Sequence, residues 1–188
     1  MAELWDVLDE NGDRTGQLRE RGPMQKGEYH LVVHVWIVNS KGEFLISKRT
    51  PNKPFANMWE CTGGSAVAGD DSLTTALKEV REELGIALEP KNGQLFKQYR
   101  YWCRCVFCVD DFNDGSGQFV DVWLFRQDAD LAEVILQPGE TCDAMLADNN
   151  KINQMIDDGI FIGRDMFPYL DELFEFCGKP VENPYDDW

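Results

Sequence analysis

Basic residues, histidine and long apolar runs are all scarce in this chain, and each scarcity argues against a class of function. Only 18 Lys and Arg stand against 34 Asp and Glu, a formal net charge of −16 over 188 residues. A polyanion is held by clustered cations that displace its counterions, so this balance argues against a polynucleotide partner. No stretch reaches the roughly 20 consecutive apolar residues of a membrane-spanning helix. The opening Met1-Ala2-Glu3-Leu4-Trp5-Asp6 is acidic where a secretory signal is basic. The expectation is a soluble, cytoplasmic protein with no membrane partner.

Paired C-x-x-C spacing is missing as well. The six cysteines fall at 61, 103, 105, 108, 142 and 177. Their tightest group, Cys103, Cys105 and Cys108, lacks the spacing of a zinc ribbon and is flanked by Tyr99, Tyr101, Trp102, Val106, Phe107 and Val109. These read as buried strand thiols, and a disulfide framework is not expected. The two histidines, His30 and His34, share one strand face but lie about 13 Å apart along it, too far to hold one ion together. Neither is assigned to a metal.

A hydrophobic fraction of 43% is enough for one well-buried domain. No internal repeat, low-complexity tract or linker divides the chain. Leu4–Leu8 and Thr15–Arg19, separated by Asp9-Glu10-Asn11-Gly12-Asp13, read as a hairpin. His30–Asn39 is rich in β-branched residues and turns through Ser40-Lys41-Gly42 into Phe44–Arg49, a second hairpin. The segment 50–59 is dense in turn formers, 94–109 and 117–126 read as long strands, and 149–157 and 167–176 read as helices. Strands interleaved irregularly with a few helices imply a mixed sheet between helical layers.

The most informative stretch is Gly64–Ile86. From Ser72 to Leu84 the apolar residues Leu73, Ala76, Leu77, Val80 and Leu84 recur at helical spacing, Asp70 or Asp71 can cap the start, and Gly85 suits a left-handed end. Glu79, Glu82 and Glu83 therefore project from one side of the helix. Three anions that close repel each other, and a hard divalent cation that accepts carboxylate oxygens relieves the repulsion. Gly63-Gly64 is expected to form a turn that no side chain would tolerate.

Position by position this stretch resembles the Nudix box, G-x(5)-E-x(7)-R-E-U-x-E-E-x-G-U with U aliphatic. Gly64, Glu79, Val80, Glu82, Glu83, Gly85 and Ile86 match; Asp70 replaces a Glu and Lys78 an Arg. The resemblance implies an α/β/α sandwich around a mixed sheet, and hydrolysis of a diphosphate linked to a second moiety. It implies Mg²⁺, with Mn²⁺ possible, held by Glu79, Glu82, Glu83 and the Gly64 carbonyl. Asp70 and Lys78 would brace the loop against the helix, with weaker geometry than Arg would give. The general base would be a box glutamate or Glu140 from a later loop. Arg49 would meet the substrate phosphates, with Lys48, Arg100, Arg104 and Arg126 as further candidates, while Trp36, Tyr101 and Trp102 are candidates to stack on a base. The partner would be a small anionic diphosphate compound, and a homodimer is compatible with the family.

Within that family the N-terminal hairpin, His30-Leu31-Val32-Val33-His34, Lys41–Arg49 and Met58-Trp59 look most like the branch containing isopentenyl diphosphate isomerase and its hydrolase-like relatives. The isomerase flanks its first box glycine with cysteine and histidine, whereas Gly63 and Ser65 stand here. Cys61 lies two residues too early to substitute, and reads as a small core residue. Hydrolysis is favoured, with isomerisation and a noncatalytic nucleotide-sensing module as alternatives. The chain is read as a single domain, 1–188, with a hairpin extension at 1–27, a core at 28–160 and a C-terminal helical tail at 161–188.

Overall fold

The computed structural model describes residues 2–22, 24–103 and 116–178. Arg104, Cys105 and Cys108 lie outside them, as does the side chain of Cys103, so the expectations placed there stay with the sequence. Among the described residues nine strands form one mixed sheet: β1 (Leu4–Leu8), β2 (Arg14–Glu20), β3 (Tyr29–Val38), β4 (Phe44–Arg49), β5 (Trp59–Glu60), β6 (Thr62–Ser65), β7 (Gly93–Cys103), β8 (Ser116–Arg126) and β9 (Thr141–Ala147). Among the described residues three α-helices accompany them, α1 (Ser72–Leu84), α2 (Asn149–Asp157) and α3 (Leu170–Gly178).

Strand β3 is the centre of the sheet. It runs parallel to β8 over ten residue pairs, from Tyr29↔Gly117 to Val38↔Arg126, and antiparallel to β4 and β6. Its apolar run is nearly continuous because both faces are covered. Val33, Val35 and Ile37 pack under Ala76, Val80 and Leu84 of α1. Trp36 and Val38 join Ile152 and Met155 of α2 and Leu170, Leu173 and Phe174 of α3 on the other face. Each fully buried aliphatic side chain here contributes about 2 kcal/mol, which fixes α1 on the sheet despite its acidic face. The expected α/β/α sandwich around a mixed sheet is the fold observed.

Helix α1 begins and ends where its residues dictate. The Asp71 carboxylate accepts from Thr74 N at 2.7 Å, and Gly85, at φ 72°, donates to the Arg81 carbonyl. The β1–β2 hairpin docks through Leu8↔Tyr29 and through the Ala68 amide, which donates to the Leu4 carbonyl.

Three strands escaped the sequence reading. Trp59–Glu60 and Thr62–Ser65 lie where only turns were expected, and Thr141–Ala147 pairs with β4 where a loop was expected. They are short and carry Gly, Glu or Asp, so propensity is silent and pairing to a neighbour already in place decides. The Gly63-Gly64 turn is likewise corrected. Both glycines are extended, opposite His34 and Val33 on β3. They are needed because other groups come too close for a side chain, not for an unusual backbone angle: a Cβ on Gly63 would overlap the Val33 carbonyl, and one on Gly64 would stand 2.6 Å from Glu79 Oε2.

Candidate active site

Strand β6, the C-terminal half of α1 and the segment after β4 enclose a cavity of about 440 Å³. Gly64, Glu79, Glu82, Glu83, Glu140 and Arg49 all line it. Helical spacing puts the three α1 glutamates there, as the sequence implies. They are not equivalent, because Glu79 and Glu83 flank the buried stripe of Ala76, Val80 and Leu84 whereas Glu82 lies farther around the helix: Glu82 is exposed and the other two are half-buried.

Burial, reinforced by Glu82 and Glu3, pushes the Glu79 carboxyl up to about 7. Glu83 is pushed well above the usual carboxylate range by burial first, then by Glu60, Glu79 and Glu140, with Arg49 opposing. These groups are costly as anions without a cation. The donors are oxygens, and the Glu79 carboxylate lies in the space that a Cβ on Gly64 would take. Among the described residues no three His, Cys, Asp or Glu side chains already form a metal-binding group. The fit therefore rests on donor chemistry and charge, both of which suit a hard divalent ion.

Glu60 escaped the sequence reading, and its carboxylate is central. It accepts from Arg49 Nη1 at 2.5 Å while Arg49 Nε donates to the Pro54 carbonyl at 2.6 Å. Arg49 is thus at the cavity wall with two of its donors already engaged. Burial raises Glu60 even beside that guanidinium. An acid between Trp59 and Cys61 in an otherwise apolar triplet was the available signal. Lys53, also missed, forms an ion pair with Glu140, and Thr50 Oγ1 donates to the Gly139 carbonyl, so the segment after β4 and the Glu140 turn are clasped together.

Asp70 and Lys78 meet at 2.6 Å at the N-terminal end of α1. The remaining candidates are elsewhere. Arg100 and Arg126 do not line the cavity; Arg100 reaches the Glu10 carbonyl and Arg126 lies over Phe176. Lys48 lies over Trp59. Trp36 is fully buried and so presents no face to a base, while Tyr101 donates to Met166 Sδ and Trp102 packs edge-on against Tyr29. Strand facing, which the sequence leaves open, decides all six. Cys61 is a buried core residue whose thiol is pushed up by burial. His30 stacks on Trp5, away from the cavity, whereas His34 lines it.

Comparison with known proteins agrees with this geometry. The NUDIX domain family matches residues 28–168. An uncharacterized Nudix hydrolase of Listeria innocua is 34% identical over 92% of this chain and 94% of its own. The crystal structure of DR0079 from Deinococcus radiodurans superposes with a TM-score of 0.62 at 21% identity, covering 94% of this chain and 100% of that one. A bifunctional NMN adenylyltransferase/ADP ribose pyrophosphatase of Francisella tularensis, solved with AMP and a manganese ion, superposes with a TM-score of 0.58 at 16% identity, covering 84% of this chain and 44% of that one. Such agreement along nearly the full length makes this protein a member of the Nudix hydrolases, enzymes that generally need a divalent metal.

Proposed function

We propose that this Nudix hydrolase cuts a phosphoanhydride bond in a small diphosphate compound, using Mg²⁺ held by Glu79, Glu82, Glu83 and the Gly64 carbonyl. The single observation that carries the reading is the pair of half-buried carboxyls, Glu79 and Glu83, raised by burial and by neighbouring carboxylates at one cavity. A bound divalent ion would supply polarised phosphate oxygens and a water acidified for attack at phosphorus. Glu79 and Glu83 would be held as ligands by the packing of α1. Glu140, ion-paired to Lys53 in the same cavity, is the later-loop candidate for orienting the attacking water and taking its proton. Arg49 and Lys53 would meet the substrate phosphates, and Asp70 with Lys78 would brace the start of α1.

The nucleotide and manganese found with the Francisella protein support a nucleotide-linked diphosphate as the first class to test. Kinship with the isopentenyl diphosphate isomerase branch rests on the hairpin and on the β3 and β4 sequences. Isomerisation itself has less support, because the only thiol at the cavity, among the described residues, is the buried Cys61. The test is product analysis by mass spectrometry on nucleoside di- and triphosphates, nucleotide sugars, dinucleoside polyphosphates and isopentenyl diphosphate, with Mg²⁺. Cleavage by the native protein but not by Glu83→Gln supports the proposal. Mass-neutral conversion of isopentenyl diphosphate would replace it with isomerisation, and binding without turnover would replace it with a sensing module.

A further inference from the structure

One wall of the cavity is backed by a hydrogen-bond chain that the diphosphate chemistry does not use. Besides the glutamates the cavity lining includes the apolar Val32, Ile162, Met166 and Phe167, and His34, whose ring packs against Phe167. His34 is opposite Gly63 on β6, next to the glycine whose cradle receives Glu79. Its Nδ1 is 2.8 Å from the Tyr169 hydroxyl, and the same oxygen accepts from Trp36 Nε1 at 3.0 Å. Trp36 and Tyr169 are fully buried.

This chain fixes a tautomer. Indole Nε1–H only donates, so it occupies one lone pair of the Tyr169 oxygen. The tyrosine then has one proton to give, and its neighbours are the imidazole of His34 and the thiol of Cys61. Imidazole nitrogen is much the better acceptor, and sulfur a weak one. The hydroxyl therefore donates to Nδ1, which must be unprotonated, and the ring proton sits on Nε2. Nδ1 being engaged, Nε2 is the nitrogen left for the cavity. Phe167 packs edge-on against the ring with centroids 5.0 Å apart and helps hold its plane.

A donor that faces the cavity loses its water when a substrate moiety fills that space, so an acceptor on the moiety is needed to compensate it. Phosphates already have Arg49 and Lys53 nearer the glutamates as cationic partners. We infer that His34 reads the moiety joined to the diphosphate, donating from a neutral Nε2–H to an oxygen or nitrogen acceptor on it, so that a purely hydrocarbon moiety is disfavoured. Tyr169 is the positioning residue that acts through His34. The inference rests on the hydrolytic reading of the cavity and narrows its substrate class to diphosphates with a polar second moiety.

Side-chain ¹⁵N NMR of the metal-free protein tests the tautomer without substrate. The chain has two histidines, so His30→Gln assigns the signals. The native ring is expected as the Nε2–H tautomer, and Tyr169→Phe, which keeps the buried ring, is expected to release it into a mixture. With ADP-ribose as the probe substrate, His34→Leu should raise KM about three- to tenfold with kcat nearly unchanged, the loss of one neutral hydrogen bond. His34→Gln, whose amide can reach the same point, should restore most of that loss. An Nδ1–H tautomer, an unchanged KM in His34→Leu, or preferential turnover of isopentenyl diphosphate over ADP-ribose overturns the inference. Failure to cut any anhydride overturns the hydrolytic reading instead, and the NMR result still decides the donor.

Discussion

At the scale of single residues the site is a matter of room and charge. Gly64 has no Cβ because the Glu79 carboxylate stands there, so Gly64→Ala is expected to displace that carboxylate and suppress turnover at least as severely as Glu79→Gln. The measurement is kcat/KM with Mg²⁺, alongside a thermal melt to confirm that the fold survives. The sign of the Glu79 effect follows from its raised position at about 7. An acid raised in the folded state favours folding below its ordinary range and loses that contribution as pH climbs through the folded value. The metal-free protein should therefore melt lower at pH 8 than at pH 6, and Glu79→Gln should flatten that difference. Mg²⁺ should raise the melting temperature of the native protein at pH 8 and that of Glu79→Gln far less. An equal rise in both would remove Glu79 from the proposed ligand set.

At the scale of elements α1 carries two kinds of interaction with different consequences. The Asp71 cap satisfies a backbone amide, so Asp71→Ala should cost about 1 kcal/mol in a denaturant titration. The Asp70–Lys78 pair is partly open to solvent, where such pairs contribute little to stability. Lys78→Ala should consequently leave the denaturation midpoint nearly unchanged. If the brace positions the glutamates, the same variant should lower kcat several-fold, and Lys78→Arg should keep it. Elements of this kind were legible in advance: the apolar period and the terminal residues of α1 predict Ser72–Leu84, the observed span. Strands β5, β6 and β9 were not, because Glu60, Gly63-Gly64 and Asp143 carry no strand preference and extend only against partners already built.

At the scale of the whole molecule, charge and buried imidazoles set the response to solution conditions. With a net charge of −16, mutual repulsion should ease as salt rises from about 0.01 M to about 0.1 M and the screening length falls from about 30 Å to about 10 Å. A higher melting temperature is expected, with an inert monovalent salt used to separate screening from metal binding. His30, buried against Trp5, is held neutral and falls to about 4, chiefly by burial. A histidine depressed in the folded state contributes its full stability above pH 6.5 and loses it as pH drops towards 4. The loss at this one site is on the order of 3 kcal/mol, and His30→Gln should remove that part of the acid sensitivity. The sequence by itself determined the acidic helix, its caps, the long strands and the family, because these depend on residue spacing along one element. Only the tertiary structure decided which α1 glutamates are half-buried, that Gly63 and Gly64 make way for close neighbours and not for a turn, and that Glu60, Lys53 and His34 share the cavity. It also moved Arg100, Arg126 and Trp36 away from that cavity. The reason is that strand facing and the approach of one strand to another are set by packing between residues far apart in the chain.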